Sequence, residues 1–208
     1  FKYNMTDTTE SLAAPGEFVA KKRVISGFYV DRFEWPNRTK NELGEAQEPL
    51  RKVTHDVAQS KCAEQGKRLC TADEWEKACK GMENYIYSYG DSFDSEICNY
   101  EKGGYTLGSE NPDCISPYGV YGMSAGPREW TKTAASSGSR FVTKGGSLRG
   151  HHERSYRCAF SNDDSEFYTD ENLSFRCCLS EDAERIPLKT EEPPAPPAEE
   201  PKKEEKPQ

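Results

Sequence analysis

The chain is 208 residues long, with a hydrophobic share of 34% and a formal net charge of −8. That length holds one ordinary domain with a real core, and the acidity excludes the clustered basic face that nucleic-acid binding needs, since the nearest basic run, Lys21-Lys22-Arg23, stands alone. No apolar stretch approaches the length of a membrane span. A chain that opens on Phe1 rather than Met is expected to be a mature or trimmed form, so the lack of a signal peptide says nothing about export.

Residues 1–16 are polar with few apolar anchors and are expected to be a flexible lead-in to a domain over 17–180. Residues 24–35 are rich in β-branched and aromatic side chains and predict one or two short strands, ended by Pro36 and Asn37. Residues 38–50 read as loop. From 55 to 65 the chain predicts a helix with Val57, Ala58 and Cys62 on one face, and Gly66 suits the position just past its end. Thr71-Ala72-Asp73-Glu74 is a capping-box pattern, in which the threonine accepts from a free amide and Glu74 reaches back to the cap. It opens a second helix that carries Trp75, Ala78 and Cys79 on one face and ends at Gly81. Residues 82–140 predict little regular structure; residues 141–147 and 172–179 read as short strands. From 181 to 208 the chain is Glu-, Pro- and Lys-rich with no aromatic residue. Such a segment buries too little apolar surface to offset its chain entropy and is expected to be disordered.

Eight cysteines are present: Cys62, Cys70, Cys79, Cys98, Cys114, Cys158, Cys177 and Cys178. The number is even and no C-x-x-C pair suggests zinc. In a loop-rich domain this fits disulfides and an oxidising compartment; the competing reading is buried free thiols in the cytosol.

Four segments, in order, carry a family resemblance. Gly66-Lys67-Arg68-Leu69-Cys70-Thr71-Ala72-Asp73-Glu74-Trp75-Glu76-Lys77-Ala78-Cys79 looks like the GKRLPTEAEWEYA core of the formylglycine-generating (sulfatase-modifying factor) family. The stretch from Tyr118-Gly119-Val120-Tyr121-Gly122-Met123 to Arg128-Glu129-Trp130-Thr131 resembles its GLYDMxGNVWEWT segment. Lys144-Gly145-Gly146-Ser147 is similar to its RGGSW strand, and Asn172-Leu173-Ser174-Phe175-Arg176-Cys177 to its closing LGFRC. The segment from Tyr29 to Glu34 matches an early strand motif more weakly. The resemblance implies an α+β fold related to C-type lectins, with short strands, two helices, much irregular structure and disulfide staples. It also implies the pairs Cys62–Cys177 and Cys79–Cys158, at spacings similar to those of eukaryotic members. Of the remaining four cysteines, Cys98–Cys114 would close the irregular segment and Cys70–Cys178 is then left; adjacent strand residues point to opposite faces, so Cys177 and Cys178 can serve different partners.

Active members of that family oxidise a substrate cysteine to formylglycine with copper held by two thiolates. Aligned from the left, Gly150 stands where the first of these cysteines would be; aligned from the right, Glu153 stands at the second. Copper is therefore not expected. His151, His152 and Glu153 are candidate ligands for a redox metal: on a strand His151 and Glu153 would share a face, with His55 as the one other histidine. A solvated polar loop is the simpler reading, because two ligands are too few. Calcium is the other candidate cofactor, since the family holds Ca²⁺ on oxygen ligands. Glu129 matches one such ligand and Asn99 resembles the start of a second site, but Gly122 lacks the side-chain oxygen the first site uses.

Trp75 and Trp130 are expected core anchors, and Arg68 and Arg176 are candidates for buried charge-assisted bonds. The tyrosines of residues 85–89 are expected to pack, with a ligand groove as the alternative. Asn4-Met5-Thr6 and Asn37-Arg38-Thr39 fit glycosylation sequons, relevant in a eukaryotic secretory route. Together these readings point to a non-catalytic domain in the periplasm, at the cell surface or secreted. It would bind a protein or glycan, or serve within an envelope assembly, with no nucleic acid and no transmembrane segment. The alternatives are an iron- or copper-dependent oxidase with a rebuilt site, and a subunit of a larger envelope machine.

Overall fold

A computed structural model describes residues 3–9, 19–98, 111–136, 138–146 and 153–182. Two helices and nine strands are defined among them. Strand β1 (Tyr3–Thr9) pairs antiparallel with β2 (Val19–Ile25), in register from Tyr3 opposite Ile25 to Thr9 opposite Val19. The expected flexible lead-in over 1–16 therefore contains a strand. Its threonines favour extended backbone, and a reading that counts apolar anchors overlooks main-chain pairing with a later segment.

Strand β3 (Phe28–Val30), β4 (Arg68–Leu69) and β9 (Cys177–Ser180) form a three-stranded sheet with β9 in the middle. Strands β5 (Arg128–Ala134), β6 (Arg140–Lys144), β7 (Ser161–Ser165) and β8 (Leu173–Phe175) form a second sheet in the order β7-β6-β5-β8. The single strand expected over 172–179 is thus two strands in different sheets, with Arg176 at the crossing. Strand β5, whose pairing with β6 shifts register between Trp130 and Ala134, lies in the stretch expected to be irregular. Strand β7, Ser-Asn-Asp-Asp-Ser, has no β-forming composition at all; it is held at the sheet edge by its ladder to β6 and by Arg128–Asp164 (2.6 Å) and Arg140–Asp163 (3.2 Å) pairs.

Helix α1 (His55–Glu64) starts at Thr54, whose side chain accepts from the Val57 amide. Its inward face is His55, Ala58 and Cys62; Val57, expected on that face, is 42% exposed. This face joins Leu69, Trp130, Leu173 and Phe175 in one core cluster. Helix α2 (Ala72–Lys80) opens with the full capping box, Thr71 accepting from Glu74 N and Glu74 accepting from Thr71 N. It was expected to bury one face, yet every residue from Glu74 to Lys80 is buried. Its charges are tolerated inside because they are paired, and Trp75, Ala78 and Cys79 form a second cluster with Val120, Met123 and Cys158. The helix stops at Gly81, with φ +69° and ψ −165°, a conformation open to glycine; a Cβ there would stand 2.4 Å from Pro117 Cγ.

The cysteines bond as Cys62–Cys177, Cys70–Cys178, Cys79–Cys158 and Cys98–Cys114, with Cα separations of 5.5, 4.8, 5.7 and 4.9 Å. Each of the first three pins a helix or the short link between helices to the closing segments, and the neighbours Cys177 and Cys178 serve α1 and the Leu69–Thr71 turn respectively. The fold is α+β, with short strands, two helices and extensive irregular backbone stapled by these bridges.

Candidate functional site

The most concentrated chemistry in the fold is a set of ionised groups buried where α2 meets both sheets. The parallel pairing of β5 with β8 sets Glu129 opposite Ser174, so that Arg176, at the crossing between sheets, reaches the Glu129 carboxylate. Arg176 Nε and one terminal nitrogen each donate to it at 2.7 Å, one to each oxygen. Trp75 Nε1 on α2 adds a third donor at 2.9 Å. Arg176 also donates to the backbone oxygens of Asp31 (3.3 Å), Arg32 (3.4 Å) and Tyr121 (3.1 Å), and Glu34 lies 3.9 Å away. Both Arg176 and Glu129 are sealed from solvent. Such a pair is costly to desolvate, and full hydrogen bonding is what makes it tolerable.

Two further pairs surround α2. Arg68 grips Glu74 with both terminal nitrogens, at 2.6 and 2.7 Å. Burial pushes the Glu74 carboxyl up, but Arg68 and Thr71 outweigh it and hold it below its ordinary value. Glu76 lies between Lys80 and Lys144, each at 2.8 Å, and Lys144 also sits 5.7 Å over the Trp75 ring. Burial raises the Glu76 carboxyl, and the two lysines together bring it below the ordinary range. Neither lysine was singled out from sequence. Lys144 could have been: it takes the place of the family's arginine immediately before Gly145-Gly146.

Each sequence-predicted site residue can now be placed. All eight cysteines are in disulfides and none is free. His151, His152, Gly150 and Asn99 lie outside the described residues. Glu153 begins a short 3₁₀ turn (Glu153–Tyr156), with its side chain 48% exposed and 3.9 Å from Arg157. The His55 ring is buried on α1, stacked on Phe141 at 3.5 Å, with Nε2 donating to the Thr131 carbonyl at 3.1 Å. The tyrosine run packs: Tyr87 is 2% exposed and stacks on Tyr89 at 5.7 Å. The Asn37 sequon is structurally engaged. Its amide nitrogen donates to Asp31 at 3.0 Å and its oxygen accepts from Phe33 N at 3.1 Å.

The residues at the expected calcium position do not fit that ion. Both oxygens of Glu129 face the Arg176 guanidinium, a cation already resident where Ca²⁺ would need the charge. Gly122 contributes no oxygen, and a Cβ on it would meet Glu34 Oε1 at 3.4 Å. Among the described residues no group of three or more His, Cys, Asp or Glu side chains is arranged to hold a metal. A copper site of two thiolates has no donors here either, because the chain has no thiol left to ionise.

A model of the sulfatase-modifying factor enzyme 1-like domain matches residues 4–181. The chain belongs to that family. Its sulfatase-modifying-factor domain is 27% identical over 168 residues to the mouse (Mus musculus) formylglycine-generating enzyme, covering 65% of this chain and 45% of that protein. It is 26% identical over 151 residues to the Bos taurus inactive C-alpha-formylglycine-generating enzyme 2, covering 62% and 49%. The chain thus spans less than half the length of these relatives. Among solved structures, the domain superposes on PvdO from Pseudomonas aeruginosa with a TM-score of 0.65 at 12% identity, covering 86% of this chain and 91% of that one. It superposes on Treponema denticola variable protein 1 with a TM-score of 0.59 at 15% identity, covering 86% and 94%.

Proposed function

We propose that this chain is a non-catalytic sulfatase-modifying-factor domain, working in an oxidising compartment outside the cytoplasm, where it binds a protein or glycan partner or serves in an envelope or surface assembly. The observation that carries the reading is the fate of the cysteines. All eight are consumed by four disulfides, so the scaffold keeps its staples and holds no thiolate for copper. Two relatives that match the chain are themselves named inactive, which supports a family role without the oxidation. The buried ion pairs supply rigidity to a binding surface rather than reacting groups, since each carboxylate among them is already neutralised by a partner. Four disulfides favour an oxidising location. No helix among the described residues is long and apolar enough to cross a membrane.

The test is direct. Protein purified with its disulfides intact is loaded with Cu(I), and a sulfatase-derived cysteine peptide is followed by mass spectrometry under oxygen. The expected result is no conversion of cysteine to formylglycine and no stoichiometric copper. Turnover of the peptide with all four bridges retained would overturn the reading. Labelling with a maleimide before and after reduction is expected to modify no cysteine in the native protein and all eight afterwards.

A further inference from the structure

The sequons at Asn4 and Asn37 are not the last in the chain. Asn172-Leu173-Ser174 is a third N-x-S/T acceptor, and it lies in the core. Such a motif ordinarily marks a surface loop, because the glycan it receives is bulky and hydrophilic. Here Asn172 is 7% exposed, and Leu173 and Ser174 are fully buried. Asn172 leads into β8, whose Leu173 and Phe175 pack in one cluster with Trp130 and Cys177.

The fold engages the acceptor along its length. Asn172 O accepts from Arg128 N at 2.8 Å, and Asn172 N donates to the Asp170 carboxylate at 2.7 Å. The Ser174 hydroxyl, the group that makes the motif an acceptor, donates to Leu50 O at 2.9 Å. Strand β8 is held on both edges. Its parallel ladder to β5 covers one, and on the other Trp35 N donates to Phe175 O at 2.9 Å. Cys177 and Cys178 follow at once, and their bridges to Cys62 and Cys70 have Cα separations of 5.5 and 4.8 Å. Bridges of that geometry form only with the closing segment brought against α1 and the Leu69–Thr71 turn.

We infer that Asn172 is an N-glycan acceptor only while β8 is undocked, and that closing the Cys177 and Cys178 bridges withdraws it. The donor is an oligosaccharide carried on a lipid diphosphate. The Asn172 side-chain nitrogen displaces the diphosphate from the first sugar carbon. One N–C bond forms, the C–O bond to the diphosphate breaks, one amide proton is lost, and no oxidant or reductant is involved. Folding and glycan transfer thus compete for one segment. A glycan gained first keeps β8 out of the core and Cys177 out of reach of Cys62, so it marks a chain that has not folded. Asn172 stands five residues before Cys177, whereas the Asn4 and Asn37 sequons have no cysteine so near. The inference stands whether or not the domain has a partner.

The experiment incubates the full chain, with its disulfides intact, with a purified oligosaccharyltransferase and its lipid-linked donor. The same chain, reduced and alkylated, is treated alongside. Peptide mapping by mass spectrometry reads the occupancy of Asn172. The native chain is expected to carry no glycan there and the reduced chain to be modified. Ser174→Ala is expected to abolish that modification in the reduced chain, where the loss of its bond to Leu50 has no fold to disturb. In a eukaryotic secretory host, dithiothreitol added during synthesis is expected to raise the occupancy of Asn172, and secreted protein with every bridge formed is expected to lack the glycan. The inference is overturned if the native chain is modified at Asn172 or if the reduced chain is not. It is equally overturned if dithiothreitol leaves the occupancy unchanged, or if the secreted, fully bridged protein carries a glycan at that position.

Discussion

At the scale of single residues, Glu129 and Arg176 are worth more to the fold than any exposed pair. With both partners sealed from water, removing one leaves the other charged and unpaired. Glu129→Gln is expected to cost about 3–5 kcal/mol of stability, the usual penalty for breaking a buried pair. Trp75→Phe, which deletes one donor and leaves part of the buried indole volume unfilled, is expected to cost about 2 kcal/mol. Urea unfolding of the two variants separates these values, and equal losses would mean that the carboxylate is not held as described. His55 gives a prediction of a different kind. Burial disfavours its imidazolium, so in the folded chain it titrates below its ordinary value of 6.5, although the Thr131 carbonyl and Asp56 pull the other way. The unfolded chain therefore takes up this proton first as the solution is acidified. The His55 contribution to stability is full above about pH 6.5 and is lost as the pH falls toward the folded value, by at most about 1.4 kcal/mol per pH unit. Glu74 and Glu76 are depressed below 4.5, so their contributions fade only under more acidic conditions. His55→Phe is expected to flatten the stability profile just below pH 6.5 and leave the more acidic limb in place.

At the scale of elements, the ends of the helices were legible and their environment was not. The capping box at Thr71 and Glu74 could be read directly, because a four-residue pattern contains both of its partners. Thr71→Ala is expected to cost about 1 kcal/mol, and Glu74→Gln more than that, since Glu74 also holds Arg68; thermal melts of the two variants check the order. The helical spacing of Trp75, Ala78 and Cys79 identified one buried face. It could not reveal that Glu76 and Lys80 are buried as well, because their burial depends on Lys144, a residue on β6 far along the chain. Strand β7 escaped the sequence reading for a similar reason. Nothing in Ser-Asn-Asp-Asp-Ser favours a strand, and what makes it one is the open edge of β6 beside it. The partner of Glu129 was likewise hidden from a local reading. The acid was visible in the motif, but the arginine that occupies it sits 47 residues away.

At the scale of the whole molecule, the bridges differ in how much chain they restrain. Cys62–Cys177 closes a separation of 115 residues and Cys98–Cys114 one of 16. On chain-entropy grounds these are worth about 5 and about 3 kcal/mol. Replacing both members of the long pair with alanine is therefore expected to lower the unfolding midpoint more than replacing both members of the short one. The long pair also lies in the core cluster with Trp130 and Phe175, so its loss removes packing in addition to the restraint. Denaturation of the two double variants under oxidising conditions tests the ranking. The family motifs conveyed this architecture well because they sit on the elements that the bridges join. The loop beside Trp35 was far less legible, since its shape depends on how the Asn41 turn folds back onto Glu45.

The order of the bridges along the chain has one more consequence. Cys62–Cys177, Cys70–Cys178, Cys79–Cys158 and Cys98–Cys114 all straddle the interval from 98 to 114. A protease that cuts once within that interval would separate the polypeptide into two pieces without releasing either, since four covalent ties still cross the cut. The domain would migrate as one band until it is reduced and as two afterwards. That stretch is thus a natural place for evolution, or an engineer, to splice in foreign sequence while the frame around it stays locked.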